Sequence, residues 1–171
     1  MKTRRFLLVA AALGLLFSAG TSSAGTATSN LAVSSSISAN CTISTGALAF
    51  GAYDPIVANL SNPLNATGSV TTTCTGGTSP VITLGQGGHA DTGSTDAAPV
   101  RQMAKGSDRM SYQLYSDSGR STVWGNTAGS APAAVGGDGT AQTFTVYGSV
   151  AAGQNLPTGA YTDTVVATVT F

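Results

Sequence analysis

The sequence predicts an all-β fold, and three observations lead to this prediction. The 171-residue chain contains no glutamate and, after its first two dozen residues, a single lysine, so it lacks the residues that build long exposed helices. Several short stretches alternate apolar residues with Thr or Ser, which is the period of a strand. Clusters of Gly, Pro, Asn, Asp and Ser separate these stretches. Short strands with turn signals at such intervals are typical of a β-sandwich.

The first 24 residues have the pattern of an export signal. Lys2, Arg4 and Arg5 precede an apolar run over residues 6–17, and small residues ending at Ala24 follow. A run of this length is too short to span a bilayer, which needs ~20 apolar residues. We therefore expect a signal peptide at residues 1–24, cleavage after Ala24, and an exported mature chain that begins near Gly25.

The charge of the mature chain excludes one class of partner. Removing the leader leaves four basic residues against seven aspartates, a net charge of −3. No basic patch remains that could neutralise phosphates. We therefore expect no nucleic-acid partner.

Two cysteines, Cys41 and Cys74, are the only ones in the chain. In an exported protein a single pair predicts a disulfide, because the compartment is oxidising. Closing a loop of this length would stabilise the fold by roughly 3–4 kcal/mol. Two distant thiols supply too few ligands for a metal site, and we expect no cofactor.

The segment before the first cysteine has a clear two-residue period. One face carries every large apolar residue of residues 27–39 and consists of Ala27, Ser29, Leu31, Val33, Ser35, Ile37 and Ala39. The other face is small and polar, and the segment has no charged residue. This alternation predicts a first strand over residues 27–39.

Further strands are predicted at close intervals over the rest of the chain, which we expect to form one domain at residues 40–171. They lie at residues 47–53, 66–74, 80–84, 110–116, 143–150 and 161–171. Loops are predicted at residues 85–98 and 128–139. The last strand places Val165, Ala167, Val169 and Phe171 on one face.

The two ends of the chain suggest a common hypothesis. The first strand lies outside the loop closed by the cysteines, and we expect no further strand after Phe171. A sandwich without its last strand would expose an apolar groove and unpaired backbone groups. An uncharged alternating strand from a neighbouring molecule could fill such a groove. The alternative is that residues 31–37 pair within their own domain.

Short motifs throughout the mature chain resemble those of the spore coat protein U domain family, which includes subunits of archaic (Csu-type) chaperone–usher pili. In family order they are AFGAYDP at 49–55, ATGSV at 66–70, CT at 74–75, RQM at 101–103, SYQLYSD at 111–117, VWG at 123–125, VYG at 146–148 and GAYTDTV at 159–165. Each motif alone is weak, whereas the ordered set is specific.

The resemblance implies an incomplete immunoglobulin-like β-sandwich. In such pilins a periplasmic chaperone first supplies the missing strand, and the N-terminal extension of the next subunit then replaces it. Carried over to this sequence, residues 25–39 would hold the donor strand, with Ala27, Ser29, Leu31, Val33, Ser35 and Ile37 facing the groove. Val165, Ala167, Val169 and Phe171 would border the acceptor groove and meet the chaperone. A single domain that begins with a donor-like strand favours a shaft subunit over a two-domain tip adhesin.

The resemblance also implies partners and a location. The partners would be identical or homologous pilus subunits, a periplasmic chaperone and an outer-membrane usher, with no small-molecule substrate. The protein would be secreted through the periplasm to a cell-surface fimbrium that supports adhesion or biofilm formation. Two alternatives stay open: a secreted spore-coat or matrix protein with a self-closed domain, and a minor carbohydrate-binding adhesin.

We expect no enzymatic activity, because the motifs that suggest one are incomplete. Residues 91–94 read DTGS, as in aspartic proteases, but that chemistry needs a second carboxylate and the preceding residues are glycine-rich. His89 lies among glycines, and no serine has the strand–elbow–helix surroundings of a triad nucleophile, so we expect a surface histidine.

The aspartates and the aromatic residues also receive structural interpretations. Asp108, Asp117, Asp138 and Asp163 are too far apart for a calcium loop, and we expect Asp163 to make a structural hydrogen bond or turn. The aromatic residues lie within predicted strands, so we expect them to fill the core rather than a sugar-binding platform; they are Tyr112, Tyr115, Trp124, Tyr147 and Tyr161.

Overall fold

The structure, a computed structural model, describes residues 20–171. Residues 1–19 of the predicted signal peptide lie outside the described residues. The chain divides into two compact units, Met1–Ser35 and Ser36–Phe171. Residues 20–35 contain no strand or helix, and their side chains are exposed. Over residues 20–171, no helix has the length and apolar character needed to cross a membrane.

Seven antiparallel strands form two sheets within the second unit. They are β1 Cys41–Gly46, β2 Leu64–Cys74, β3 Val81–Leu84, β4 Arg101–Lys105, β5 Asp108–Tyr115, β6 Ala141–Val150 and β7 Ala167–Thr170. One sheet has the order β1-β2-β6-β5-β4, and the other pairs β3 with β7. A single 3-10 turn, Ala128–Ser130, is the one helical element in the described part of the chain. The predicted all-β class is confirmed.

The core lies between the two sheets. Alternation along β2 and β6 turns their apolar residues inward, because successive side chains of a strand point to opposite faces. The buried cluster consists of Val70, Ile82, Leu84, Met110, Tyr112, Leu114, Trp124, Val146 and Val150.

Two buried side chains connect the sheets through hydrogen bonds. The indole nitrogen of Trp124 donates to the Ile82 carbonyl oxygen at 2.9 Å. The Arg101 guanidinium donates to the carbonyl oxygens of Leu84 at 2.9 Å and Trp124 at 2.8 Å. Both polar groups are thereby satisfied away from water, as burial requires.

Four of the predicted strands lie within two residues of their observed positions, namely those at 66–74, 80–84, 110–116 and 143–150. The predicted strand at residues 47–53 is wrong. This segment is irregular and crosses the inner face of the sheet, where Leu48 and Phe50 pack over the backbone of Gly148. Gly51 adopts φ 79°, which breaks the extended conformation.

The ends of the chain and β4 also differ from expectation. Residues 20–40 contain no strand, because an extended segment forms a ladder only by pairing with another strand. The predicted strand at 161–171 is shorter, at Ala167–Thr170, since Thr162 makes only an isolated bridge to Ala104. β4 was not predicted, and its pairing with β5 supplies its hydrogen bonds.

Candidate functional site, a groove beside the last strand

A groove of about 880 Å³ opens into the core of the second unit. Its floor comes from inward-facing residues of β2, β5 and β6, including Val70, Met110, Tyr112, Leu114, Val146 and Val150. One wall is formed by the end of β1 at Thr45 and Gly46 and by the irregular segment 47–53. The other wall is formed by residues 156–165 and Ala167. The groove therefore reaches the hydrophobic core from one side of the sandwich, and the side chains of its floor are each at most 9% exposed.

The wall at β7 has an unpaired edge. Within the described residues β7 pairs only with β3, from Val81 opposite Thr170 to Leu84 opposite Ala167. The pairing on this side extends one residue beyond the strands, because the Gly85 amide donates to the Val166 carbonyl oxygen at 2.8 Å. The other edge of β7 is hydrogen-bonded to no strand of the described chain, so its backbone groups are free to accept an additional strand.

The predicted groove-edge residues occupy three different environments. Val165 and Ala167 are half-buried and line the groove. Val169 is half-buried against the core but lies outside the groove lining. Phe171 is 52% exposed at the end of the chain. The alternating exposed side chains Val166 and Thr168 turn outward, so one face of β7 meets the core.

The opposite wall depends on two glycines. A Cβ at Gly148 would lie 2.8 Å from the Phe50 ring and 2.9 Å from Leu48, and one at Gly68 would lie 2.9 Å from the Leu48 Cβ. Only glycine permits the crossing segment to approach the sheet this closely. The Phe50 ring then meets Tyr112 edge to face, with centroids 6.1 Å apart. These contacts set the depth of the groove.

A buried carboxylate joins the floor to the wall at β7. Asp163, whose side chain is 3% exposed, accepts a 2.6 Å bond from the Tyr112 hydroxyl and a 2.8 Å bond from the Gly88 amide. His89 Nδ1 lies 3.2 Å from the same carboxylate. Burial and the bond to Asp163 raise the pKa of Tyr112, so this phenol stays protonated and acts as a donor. The expected structural role of Asp163 is confirmed.

Arg101 is a second polar anchor and is fully buried. Beyond its bonds to Leu84 and Trp124, it donates to the Gly85 carbonyl oxygen at 2.7 Å and to the Gln113 side chain at 2.7 Å. Burial lowers the pKa of Arg101 to about 10, so it remains charged at neutral pH. The sequence motif around Arg101 contributed to the family resemblance, but nothing in it indicated burial.

The disulfide lies at the opposite end of the sheet from Val150. Cys41 and Cys74 face each other across β1 and β2 with their Cα atoms 4.1 Å apart, which confirms the predicted pair. Asn40 and Thr75 extend this pairing by three hydrogen bonds, two at 3.1 Å and one at 2.9 Å. The start of β1 is therefore held firmly to the end of β2.

A model of the Spore Coat Protein U domain matches residues 27–168. This chain belongs to that family. It is 45% identical over 179 aligned positions to Protein U of Myxococcus xanthus, and the alignment covers 100% of this chain and 98% of that protein.

A solved structure supports the fold of this spore coat protein U domain. The chain resembles one in the crystal structure of the CsuC–CsuE chaperone–tip adhesion subunit pre-assembly complex from the archaic chaperone-usher Csu pili of Acinetobacter baumannii. The TM-score is 0.53 at 19% identity, and the match covers 79% of this chain and 40% of the other. At this identity the likeness is one of fold. The predicted incomplete immunoglobulin-like sandwich is confirmed.

The predicted donor residues of this spore coat protein U domain are all exposed to solvent. Leu31, Val33 and Ile37 are each 87% exposed, and the smaller members of the face, Ala27, Ser29 and Ser35, are exposed as well. Exposed large apolar side chains in an uncharged segment are unfavourable in water and suit a surface that becomes buried on assembly. Their function as a donor strand remains a prediction.

The residues considered above for catalysis or sugar binding lie in turns, at the surface or in the core of this spore coat protein U domain. Residues 91–94 form a turn in which the Ser94 amide donates to the Asp91 carbonyl oxygen. His89 is partly exposed and contacts Asp163. Trp124 is fully buried, as expected of a core residue. In residues 20–171, no three His, Cys, Asp or Glu side chains are grouped to hold a metal ion.

Proposed function

We propose that this chain is a structural subunit of an extracellular pilus, and that it polymerises by donor-strand exchange. The N-terminal segment at residues 25–39 of one copy would complete the sandwich of the next. The observation that carries this proposal is the groove of about 880 Å³ beside the unpaired edge of β7. The mechanism is assembly, with no catalytic step.

The donor segment suits the groove in polarity and period. Its alternate face presents Leu31, Val33 and Ile37, and the groove floor is apolar. Burying each of these side chains fully would contribute roughly 1.5–3 kcal/mol. Each backbone hydrogen bond formed along β7 would add about 0.5–1.5 kcal/mol.

The route of assembly follows from the same exposed surface. A sandwich with an open core is prone to aggregation, so a periplasmic chaperone would occupy the groove along Val165, Ala167, Val169 and Phe171 until an outer-membrane usher brings the next subunit. The signal peptide at residues 1–24 would direct export. The fold likeness to a chain of a chaperone–tip adhesion subunit complex supports this route. Adhesion or biofilm formation would be the role of the finished fibre.

A coat or matrix protein with a self-closed domain is the second candidate. The family description, Spore Coat Protein U domain, favours it. In that case Leu31, Val33 and Ile37 would be buried within their own molecule. Ile37, which belongs to the second unit, is 87% exposed, and this supports the pilus proposal instead.

Deleting residues 25–39 separates the two candidates. For a pilus subunit, the mature full chain forms oligomers whereas the truncated chain stays monomeric, and the truncated chain binds a synthetic peptide of residues 27–37 at one to one. For a self-closed domain, the full chain stays monomeric and truncation unfolds it. Analytical ultracentrifugation and circular dichroism distinguish these results. A stable monomeric full chain would contradict the pilus proposal.

A further inference from the structure

Three large apolar side chains are exposed together on the loop that follows the groove wall. Ile56, Val57 and Leu60 are 65%, 76% and 58% exposed. We call them the apolar tip. Scattered exposed apolar residues are normal, but three within five positions of one loop form a patch, and such patches mark interaction sites.

The loop presents the apolar tip in a fixed conformation. The Asp54 carboxylate accepts bonds from the amides of Ile56 at 2.9 Å and Val57 at 3.1 Å. Asn59 is buried, and its side-chain oxygen accepts a 3.0 Å bond from the Asp54 amide. The exposure of the tip is therefore built into a hydrogen-bonded turn.

The apolar tip lies at the far end of the sandwich from the disulfide. Tyr53 donates a 2.8 Å bond to the Ala151 carbonyl oxygen, and the Gly153 amide donates to the Asn59 carbonyl oxygen at 2.9 Å, so the loop is tied to the chain just after β6. The disulfide lies beside the start of β6, and ten residues of strand separate the two ends by about 33 Å. Tyr53 and Pro55 also line the groove, which makes the tip continuous with it.

The link between the donor segment and its own domain is very short. Asn40 is already fixed to Thr75 by hydrogen bonds. Three residue steps separate Ile37 from Asn40, and they span at most about 11 Å. If Ile37 of one copy is buried in a neighbour's groove, the disulfide end of that copy must touch the neighbour directly.

Strand direction decides which end of the neighbour it touches. All strand pairs in the described chain are antiparallel, and antiparallel pairing with β7 is the more stable arrangement. β7 runs toward the disulfide end, because Thr170 pairs with Val81 at the start of β3. A donor strand antiparallel to β7 ends at the other end of the groove, next to Pro55 and the apolar tip.

We propose that the apolar tip is a second contact between successive copies of this chain, in which it packs against the disulfide end of the copy whose donor strand fills the groove. This inference rests on the proposed donor-strand assembly. The disulfide end offers a suitable apolar surface, because Val135 is 42% exposed. Val135 lies close to Gly137, whose amide donates a hydrogen bond to the Thr78 carbonyl oxygen at this end. The contact orients one subunit on the next and limits bending between them.

Photo-crosslinking of the oligomers formed by the mature chain tests the contact. The residue p-benzoylphenylalanine replaces Val33, Val57 or Val100 in three separate variants, each mixed with isotope-labelled unmodified chain so that crosslinks between copies are recognised by mass spectrometry. Val100 is the matched control, because it is an exposed valine, at 40%, directly before the edge strand β4.

The expected result is crosslinking from position 33 to the groove and from position 57 to residues 36–40, 75–79 or 133–138 of another copy, several-fold above that from position 100. Crosslinks from position 33 without such crosslinks from position 57 overturn the apolar-tip contact and leave the donor-strand proposal intact. Crosslinks from position 57 to any other surface, or equally strong ones from position 100, also overturn it. No crosslink from position 33 overturns the donor-strand proposal and this inference with it.

Discussion

The hydroxyl of Tyr112 donates a 2.6 Å hydrogen bond to the carboxylate of Asp163, and this bond joins the floor of the groove to its β7 wall. Tyr112 belongs to β5 in the five-stranded sheet, whereas Asp163 lies shortly before β7 in the smaller sheet. The wall is held to the five-stranded sheet at this point by this buried bond and by the neighbouring backbone bridge between Ala104 and Thr162.

Replacing Tyr112 with phenylalanine tests the importance of this contact. The Tyr112→Phe variant keeps the ring but leaves the buried Asp163 carboxylate with one donor fewer, so we expect a loss of about 1–3 kcal/mol in the free energy of unfolding. Urea denaturation measures this loss. Tyr115→Phe is the matched control on the same strand, because Tyr115 is half-buried, and it should change stability by less than about 0.5 kcal/mol. Equal effects of the two variants would contradict the role of the bond.

The same pair predicts how stability depends on alkaline pH. Burial and the bond to Asp163 raise the pKa of Tyr112 above its ordinary value of 10.0, so above pH 10 the unfolded chain loses this proton while the folded chain keeps it. Stability from this group is fully present below pH 10 and declines as pH rises. The wild type should lose up to about 1.4 kcal/mol per pH unit relative to Tyr112→Phe. Parallel curves of unfolding free energy from pH 9 to 11 would contradict this expectation.

Arg101 should be the most sensitive charged position in the domain. Its guanidinium satisfies the carbonyl oxygens of Leu84, Gly85 and Trp124. Arg101→Met keeps the apolar stem and leaves these acceptors without donors, so we expect destabilisation of about 3–5 kcal/mol. The control is Arg109→Met, since Arg109 is exposed, and it should stay within about 0.5 kcal/mol of wild type. Thermal and urea unfolding of both variants check the difference, and a mild effect at Arg101 would count against the bridging role.

The sequence predicted those parts of the fold in which each strand carries its own signal. β2 and β6 alternate more buried with less buried residues along most of their length, which is the two-residue period of a strand. β4 was missed because Arg101 and Lys105 at its ends are typical of a loop, and the burial of Arg101 depends on carbonyl groups from two other segments, at Leu84–Gly85 and at Trp124. Contacts between residues that are distant along the chain leave no pattern in the local sequence.

The candidate site was predictable to a similar extent. The alternation of Val165, Ala167 and Val169 identified the inward face of the last strand, and all three are half-buried. The floor of the groove could not be predicted, because Met110 and Val146 meet there only after β5 and β6 pair with their neighbours. The irregular wall depends on Leu48 approaching the backbone of Gly148, a contact between residues a hundred positions apart.

The two faces of the donor segment should differ in their effect on binding. Leu31, Val33 and Ile37 share one face, and Ala32 lies on the other. In a synthetic peptide of residues 27–37 added to the chain lacking residues 25–39, Val33→Ser removes a side chain that fills the groove. We expect a loss of about 1.5–3 kcal/mol in binding free energy, or roughly 10- to 150-fold in Kd.

The matched control is Ala32→Ser, which changes the outward face of the same peptide and should alter Kd by less than about threefold. Isothermal titration calorimetry measures both peptides against the truncated chain. A negative heat-capacity change should accompany binding of the unmodified peptide, because apolar surface is buried. Equal weakening of binding by Val33→Ser and Ala32→Ser would contradict the expectation that one face of the segment fills the groove. A one-residue shift in register exchanges the two faces of a strand, so equal effects would mean that the register is not fixed.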